Sequence, residues 1–142
     1  NKSLIIYEKT VDVPQVESVQ NIKDTDEKKD ENSLELRDIQ ICKSIENRIP
    51  VGTALTFNNN VDTLYCYTRI KNTGIKQGVV HVWYYNNKMM NKINYNIKKS
   101  NIYRSWTRKT NFLNQVGQWR VEILDSKGRM IGSKKFKIIK AS

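Results

Sequence analysis

Histidine, cysteine and proline are scarce in this chain of 142 residues: one, two and two. A single His81 with Cys42 and Cys66 makes no metal-ligand set of recognisable spacing. Two cysteines are too few for a disulfide scaffold. Both fall in segments that read as strands, where buried free thiols are the usual outcome and one cross-strand bridge is the alternative. No apolar run approaches the roughly 18–20 residues that span a bilayer. The chain holds no G-x-S-x-G, no phosphate-binding loop and no dinucleotide glycine pattern. After residue 36 only five carboxylates remain (Asp38, Glu46, Asp62, Glu122 and Asp125), none paired at a spacing that suggests acid–base work. A Cys66–His81 dyad would have to operate from within sheet, with nothing marking an oxyanion site. These absences predict a protein that is not an enzyme and has no metal site or cofactor. The first residue is not Met and no export pattern follows it, so a fragment or processed form of a longer chain is expected.

Positive charge is plentiful, with a formal net charge of +11. It is unevenly placed. Residues 1–36 carry five lysines against nine carboxylates, and residues 37–142 carry the other 20 cations against five acids, so −4 faces +15. A basic domain behind an acidic leader attracts nucleic acid, anionic lipid, acidic glycans or acidic proteins without choosing among them. The plainer reading is that Lys-rich strands stay soluble and resist edge pairing.

Residues 1–36 read as an irregular linker or partner-held leader. One short apolar patch, Leu4 to Tyr7, is followed by "KDTDEKKDEN", which cannot bury enough apolar surface to offset its chain entropy. The patch is either a docking peptide or the tail of an upstream element. From residue 37 to 142 the texture changes to short runs of β-branched and aromatic residues punctuated by Gly and Asn. "VDTLYCYTRIKN", "VVHVWYYNN", "KINYNIKK", "NIYRSWTRK" and "GQWRVEILD" are the clearest, and the Asn-Asn pair at 86–87 signals a hairpin. Seven or eight antiparallel strands predict an all-β sandwich of immunoglobulin-like type, with a closed barrel as the alternative.

Two aromatic clusters stand out. In the first, Val79, His81, Trp83 and Tyr85 share one strand face and Val80, Val82 and Tyr84 the other; the pattern leaves open which is inside. In the second, Ile102, Arg104, Trp106 and Arg108 share one face, and Tyr103, Ser105, Thr107 and Lys109 the other. Trp106 between two arginines suits cation–π stacking, as internal bracing or as a platform. Trp119, Val121 and Ile123 alternate with Arg120 and Glu122, which places Trp119 in the core.

The segments "NRIPVG", "LTFNNNVDTLYCYTRIKN", "HVWYYNNK", "YRSWTRK" and "GQWRVEILDSKGRMI" come in the order and with the gaps of a bacterial family, domain of unknown function 2914. Residues of about 37–140 resemble it. The matching positions are Asn47, Arg48, Pro50, His81, Trp83, Arg104, Trp106, Lys109, Gly117, Trp119 and Arg120; Tyr103 stands where the family usually has Trp. The resemblance implies a small non-catalytic β-domain, set behind a linker or membrane segment in a bacterial protein.

Together these readings predict a non-catalytic binding or assembly module outside the bacterial cytoplasm, in the periplasm or beyond. Protein partners are expected, with any membrane contact made through an upstream segment. The candidate recognition surface is His81, Trp83, Arg104, Trp106 and Lys109, with Arg48 and Arg120 nearby: forked donors beside flat apolar rings. Glycan or cell-wall polymer binding on the same rings is the alternative. Nucleic-acid binding by the basic domain is the third reading.

Overall fold

The structure is a computed structural model, and it describes residues 3–7 and 33–142, the former as backbone. Eleven strands are present: β1 (Ser3–Tyr7), β2 (Leu34–Cys42), β3 (Ser44–Glu46), β4 (Ile49–Val51), β5 (Thr56–Asn58), β6 (Thr63–Asn72), β7 (Gln77–Tyr85), β8 (Lys88–Ile97), β9 (Ser100–Thr110), β10 (Gly117–Asp125) and β11 (Met130–Ile139). They form a sheet of order β1-β9-β6-β2, a sheet of order β5-β11-β10-β7-β8, and the β3–β4 hairpin. All pairs are antiparallel except β5 with β11.

The seven long strands follow the immunoglobulin-like order. β2, β6 and β9 take the places of strands A, B and E, and β8, β7, β10 and β11 those of C′, C, F and G. The expected all-β sandwich is therefore the fold. The four short strands raise the count above the seven or eight expected. β1 occupies the position beside strand E that strand D fills in constant-type immunoglobulin domains. The expected boundary between residues 36 and 37 falls inside β2, and the apolar patch Leu4–Tyr7 lies within the first sheet as part of β1. The remainder of the leader, including "KDTDEKKDEN", lies outside the described residues.

Local chemistry explains the turns. Asn86 and Asn87 have φ of 50° and 69°, the two positive values that a two-residue hairpin loop requires and that Asn tolerates best. Asn47 and Arg48, at 52° and 66°, make the same turn between β3 and β4. The turn before β11 is held by Asp125, whose carboxylate accepts from the backbone N–H of Lys127 and Arg129 and from the Arg129 guanidinium at 2.8–2.9 Å. Burial opposes ionisation of this carboxyl, but those hydrogen bonds outweigh it and hold the group below the ordinary carboxylate range.

Strict alternation fills the interior. Ile93, Tyr95 and Ile97 of β8 and Trp119, Val121 and Ile123 of β10 are buried, with their sequence neighbours facing out. Trp119 stacks on Tyr85 and Phe136 and meets Phe112 edge-on, with centroids 5.0–5.9 Å apart. Its indole N–H donates to the Gln115 carbonyl. Trp119 is thus core, as its alternation requires. Cys42 and Cys66 are both free and buried. Cys66 faces Ile41 across the β2–β6 pair and Cys42 faces Tyr65, so adjacent register positions put the two thiols on opposite sides of the sheet, unable to bridge.

Candidate functional site

β7, β8, β9 and β6 send polar side chains into the space between the sheets, where they join in one chain of hydrogen bonds. The Trp83 indole N–H donates to Thr107 Oγ1 at 3.1 Å, and Thr107 Oγ1 lies 2.7 Å from His81 Nδ1. On the other side of the ring, His81 Nε2 lies 2.8 Å from the Tyr95 hydroxyl. Tyr95 meets Ser105 Oγ at 2.6 Å, and Ser105 meets Thr68 Oγ1 at 2.8 Å. Thr68 Oγ1 donates in turn to the Ser105 carbonyl at 3.0 Å.

One direction of donation satisfies this whole chain. Thr107, having accepted from Trp83, donates to His81 Nδ1. His81 then carries its proton on Nε2 and donates to Tyr95, and the hydroxyls of Tyr95, Ser105 and Thr68 pass the donation to a backbone carbonyl. His81, Trp83, Thr68, Ser105 and Thr107 are all fully buried. Burial lowers the His81 pKa to about 3, so the ring is neutral at physiological pH, and burial pushes the Tyr95 phenol well up. The chain ties one sheet to the other. The neutral imidazole has both ring nitrogens engaged and no exposed surface, and burial also raises the Cys66 thiol well above its ordinary value.

Lys109 is also inside. Its Nζ donates to the Thr110 carbonyl at 3.1 Å and lies 5.2 Å and 5.5 Å from the ring centres of Phe112 and Trp119. Burial lowers its pKa, and the ring faces offset part of the lost hydration.

A different arrangement occupies the outer face of the β9-β6-β2 sheet. Trp106 and Tyr67, paired across β9 and β6, stack with centroids 6.0 Å apart and planes 20° from parallel. The β3–β4 hairpin comes down on this face, and the Tyr67 hydroxyl donates to the Arg48 carbonyl at 2.8 Å. Burial raises the Tyr67 pKa, and a hydrogen bond from the Arg104 side chain lowers it in part. Arg69 is opposite Arg104 and Arg108 opposite Tyr65; Asp38 engages Arg69 at 3.6 Å. Trp106, Arg104 and Arg108 are only partly covered. The result is an aromatic ledge bordered by guanidinium groups.

The seven residues expected to form one surface therefore divide into three groups. His81, Trp83 and Lys109 are interior, which corrects their expected place on the surface. The reason is parity: Lys109 is three residues from Trp106 and must face the other way in an unbroken strand. Arg48, Arg104 and Trp106 come together around Tyr67. Arg120 lies on the other sheet, stacked over the Tyr84 ring at 4.0 Å and bonded to Asn87 and Glu122. The alternation of β9 already sets Arg108 beside Trp106, but it does not anticipate Tyr67, Arg69 and Asp38 at the ledge, nor Thr68, Tyr95, Ser105 and Thr107 in the interior chain. The alternation of β8 marks Tyr95 as inward, but for β9 it only groups Ser105 with Thr107 without saying which face is inside, and it does not show that these hydroxyls meet.

Among the described residues no group of three His, Cys, Asp or Glu side chains could hold a metal ion. Two surface depressions, one bordered by Asn59, Tyr85, Leu113 and Val116 and the other by Lys43, Thr56 and Phe57, include neither His81 nor Cys66.

Fold and interior thus define a class: an all-β, immunoglobulin-like sandwich braced by a buried polar chain. Residues 76–138, from just before β7 almost to the end of β11, match the family described as "Protein of unknown function (DUF2914)". The match supports the family assignment made from the sequence, and it takes in His81, Trp83, Arg104, Trp106, Lys109, Trp119 and Arg120. It does not reach Asn47, Arg48 and Pro50. No curated protein matches the chain.

Proposed function

We propose that this domain is a non-catalytic binding and assembly module that takes a protein partner on the outer face of the β9-β6-β2 sheet. The observation that carries the proposal is the ledge itself: partly covered Trp106 stacked on the buried Tyr67 ring, with the Arg104 side chain and the Arg48 carbonyl at the phenol. Trp, Tyr and Arg are the side chains most often found to dominate binding energy at protein interfaces. The partner chemistry that fits is a carboxylate-bearing segment with apolar side chains. Arginines offer it planar paired donors, and the indole offers flat area. The non-catalytic part of the proposal is supported by the burial and neutrality of His81. The extracytoplasmic compartment belongs to the same proposal and rests on the family resemblance alone; cell fractionation checks it.

The test is a fluorescence titration of the full chain with three probes: an acidic peptide rich in Glu and Phe, a cell-wall polysaccharide, and a single-stranded oligonucleotide. Saturable peptide binding that is lost in Trp106→Ala and Arg104→Ala, and retained in Arg120→Ala, is the expected result. Peptide binding indifferent to Trp106 and Arg104 refutes the choice of face. Polysaccharide quenching of Trp106 without peptide binding favours the glycan reading. Tight oligonucleotide binding that falls steeply with salt favours the nucleic-acid reading.

A further inference from the structure

The placement of β1 carries an inference independent of the aromatic ledge. β1 pairs antiparallel with β9 through five register positions, from Ser3 opposite Lys109 to Tyr7 opposite Ser105. It also lies against β8, and so closes one side of the sandwich. Twenty-six residues, 8–33, separate Tyr7 from the first residue of β2. We propose that the slot beside β9 is an exchange site, in which the N-terminal strand of a second copy of this chain takes the place of the chain's own β1.

Three arguments support it. The main-chain bonds of a strand pair are the same whichever copy supplies the strand, and Ser-Leu-Ile-Ile-Tyr has the β-branched and aromatic character that strands favour. The connecting residues can span at most about 90 Å. The radius of gyration of a domain of this size is only about 13 Å, so the connection reaches a neighbouring molecule. Finally, the slot does not favour vacancy. The β9 residues that β1 covers include Ser105, Thr107 and Lys109, whose side chains form the buried polar interior, and an open edge there is a site of unregulated pairing. Replacement keeps the interior closed, whereas release does not. Reciprocal exchange fills both slots and gives a closed two-fold dimer.

Within one chain the strand competes at an effective concentration on the order of millimolar, so exchange becomes visible when copies are concentrated to ~1 mM. The test uses two full-length variants, a tagged Leu4→Cys chain and an untagged Arg108→Cys chain, mixed at that concentration under mild oxidation. These positions face each other in the register, and opposed Cα atoms of antiparallel strands lie about 4.5–5.5 Å apart, within disulfide reach. The expected product is a disulfide-linked pair of one tagged and one untagged chain, well above that formed by Leu4→Cys with Lys127→Cys, whose thiol sits on an exposed turn. The double variant Leu4→Cys/Arg108→Cys serves as the reference. If it closes its internal bond while the mixture yields no more than the Lys127→Cys control, the strand is fixed in its own chain and the proposal fails. If it does not close, β1 does not occupy the slot and the proposal fails as well. Neither failure bears on the ledge: Arg108→Cys removes one of its bordering guanidinium groups, but the readout is a disulfide between chains and not binding of a partner, and Trp106, Tyr67 and Arg104 are unchanged.

Discussion

Replacing Thr107 by Val keeps the shape of the side chain and removes one hydroxyl from the middle of the inter-sheet chain. That hydroxyl accepts from the Trp83 indole and meets His81 Nδ1. Both groups are fully buried, so no water replaces the lost partner without opening the core. Each buried polar group left unpaired costs roughly 1–3 kcal/mol, so the variant loses about 2–6 kcal/mol, with 3–4 the central expectation. Against a total stability of about 5–15 kcal/mol, that is a large fraction. Urea unfolding followed by tryptophan fluorescence reads it as a lower midpoint at unchanged slope. For a domain of this size a loss of 3 kcal/mol lowers the melting temperature by on the order of 10–15 °C. Thr107→Ser is the companion variant. It keeps the hydroxyl and removes a methyl, at a cost of about 1 kcal/mol. A Thr107→Val loss under about 1 kcal/mol, or one no greater than that of Thr107→Ser, refutes the argument that the hydrogen-bond chain braces the sandwich.

The pH dependence follows from the same residue. His81 is held down to about 3 by burial, below its unfolded value of about 6.5, so the unfolded state binds the extra proton between those values. Stability is therefore full above pH ~6.5 and declines on acidification, by up to about 1.4 kcal/mol per pH unit. Unfolding measured from pH 7 to 4.5, above most carboxylate titrations, should show this slope, and His81→Gln should flatten it; an equal slope in both proteins refutes the assignment. Burial raises the Cys42 thiol to about 11 and pushes Cys66 well up, so a thiol-specific dye should leave both unlabelled in the native protein and label two thiols per chain in denaturant. Rapid native labelling of either would contradict their burial. Gly117 has φ of 144°, and a Cβ there would sit 2.9 Å from Asn86 Oδ1, which accepts from the Gln118 N–H. Gly117→Ala should cost about 1–3 kcal/mol in the same denaturation assay, and a neutral result would exclude strain at that position.

Alternation of residue type by itself determined an all-β fold of short antiparallel strands, while the pairing of those strands into two separate sheets decided sandwich over barrel. Ile93, Tyr95 and Ile97, and Trp119, Val121 and Ile123, can bury one face only in extended strands, and the Asn86-Asn87 pair marks its hairpin because Asn tolerates positive φ. It also put Trp106 and Lys109 on opposite sides of β9, since three residues along a strand reverse the face. Alternation could not say which side was inside for β7, where both faces carry apolar residues. Only the facing sheet decided it, by offering the Thr107 hydroxyl to Trp83 and His81. Nor could one-dimensional order bring Arg48 to Tyr67, 19 residues away, or lay β1 against β9 across a hundred residues of chain. Those contacts depend on which strands become neighbours in space. That choice is made collectively by closing a single core, not by the preferences of any one segment.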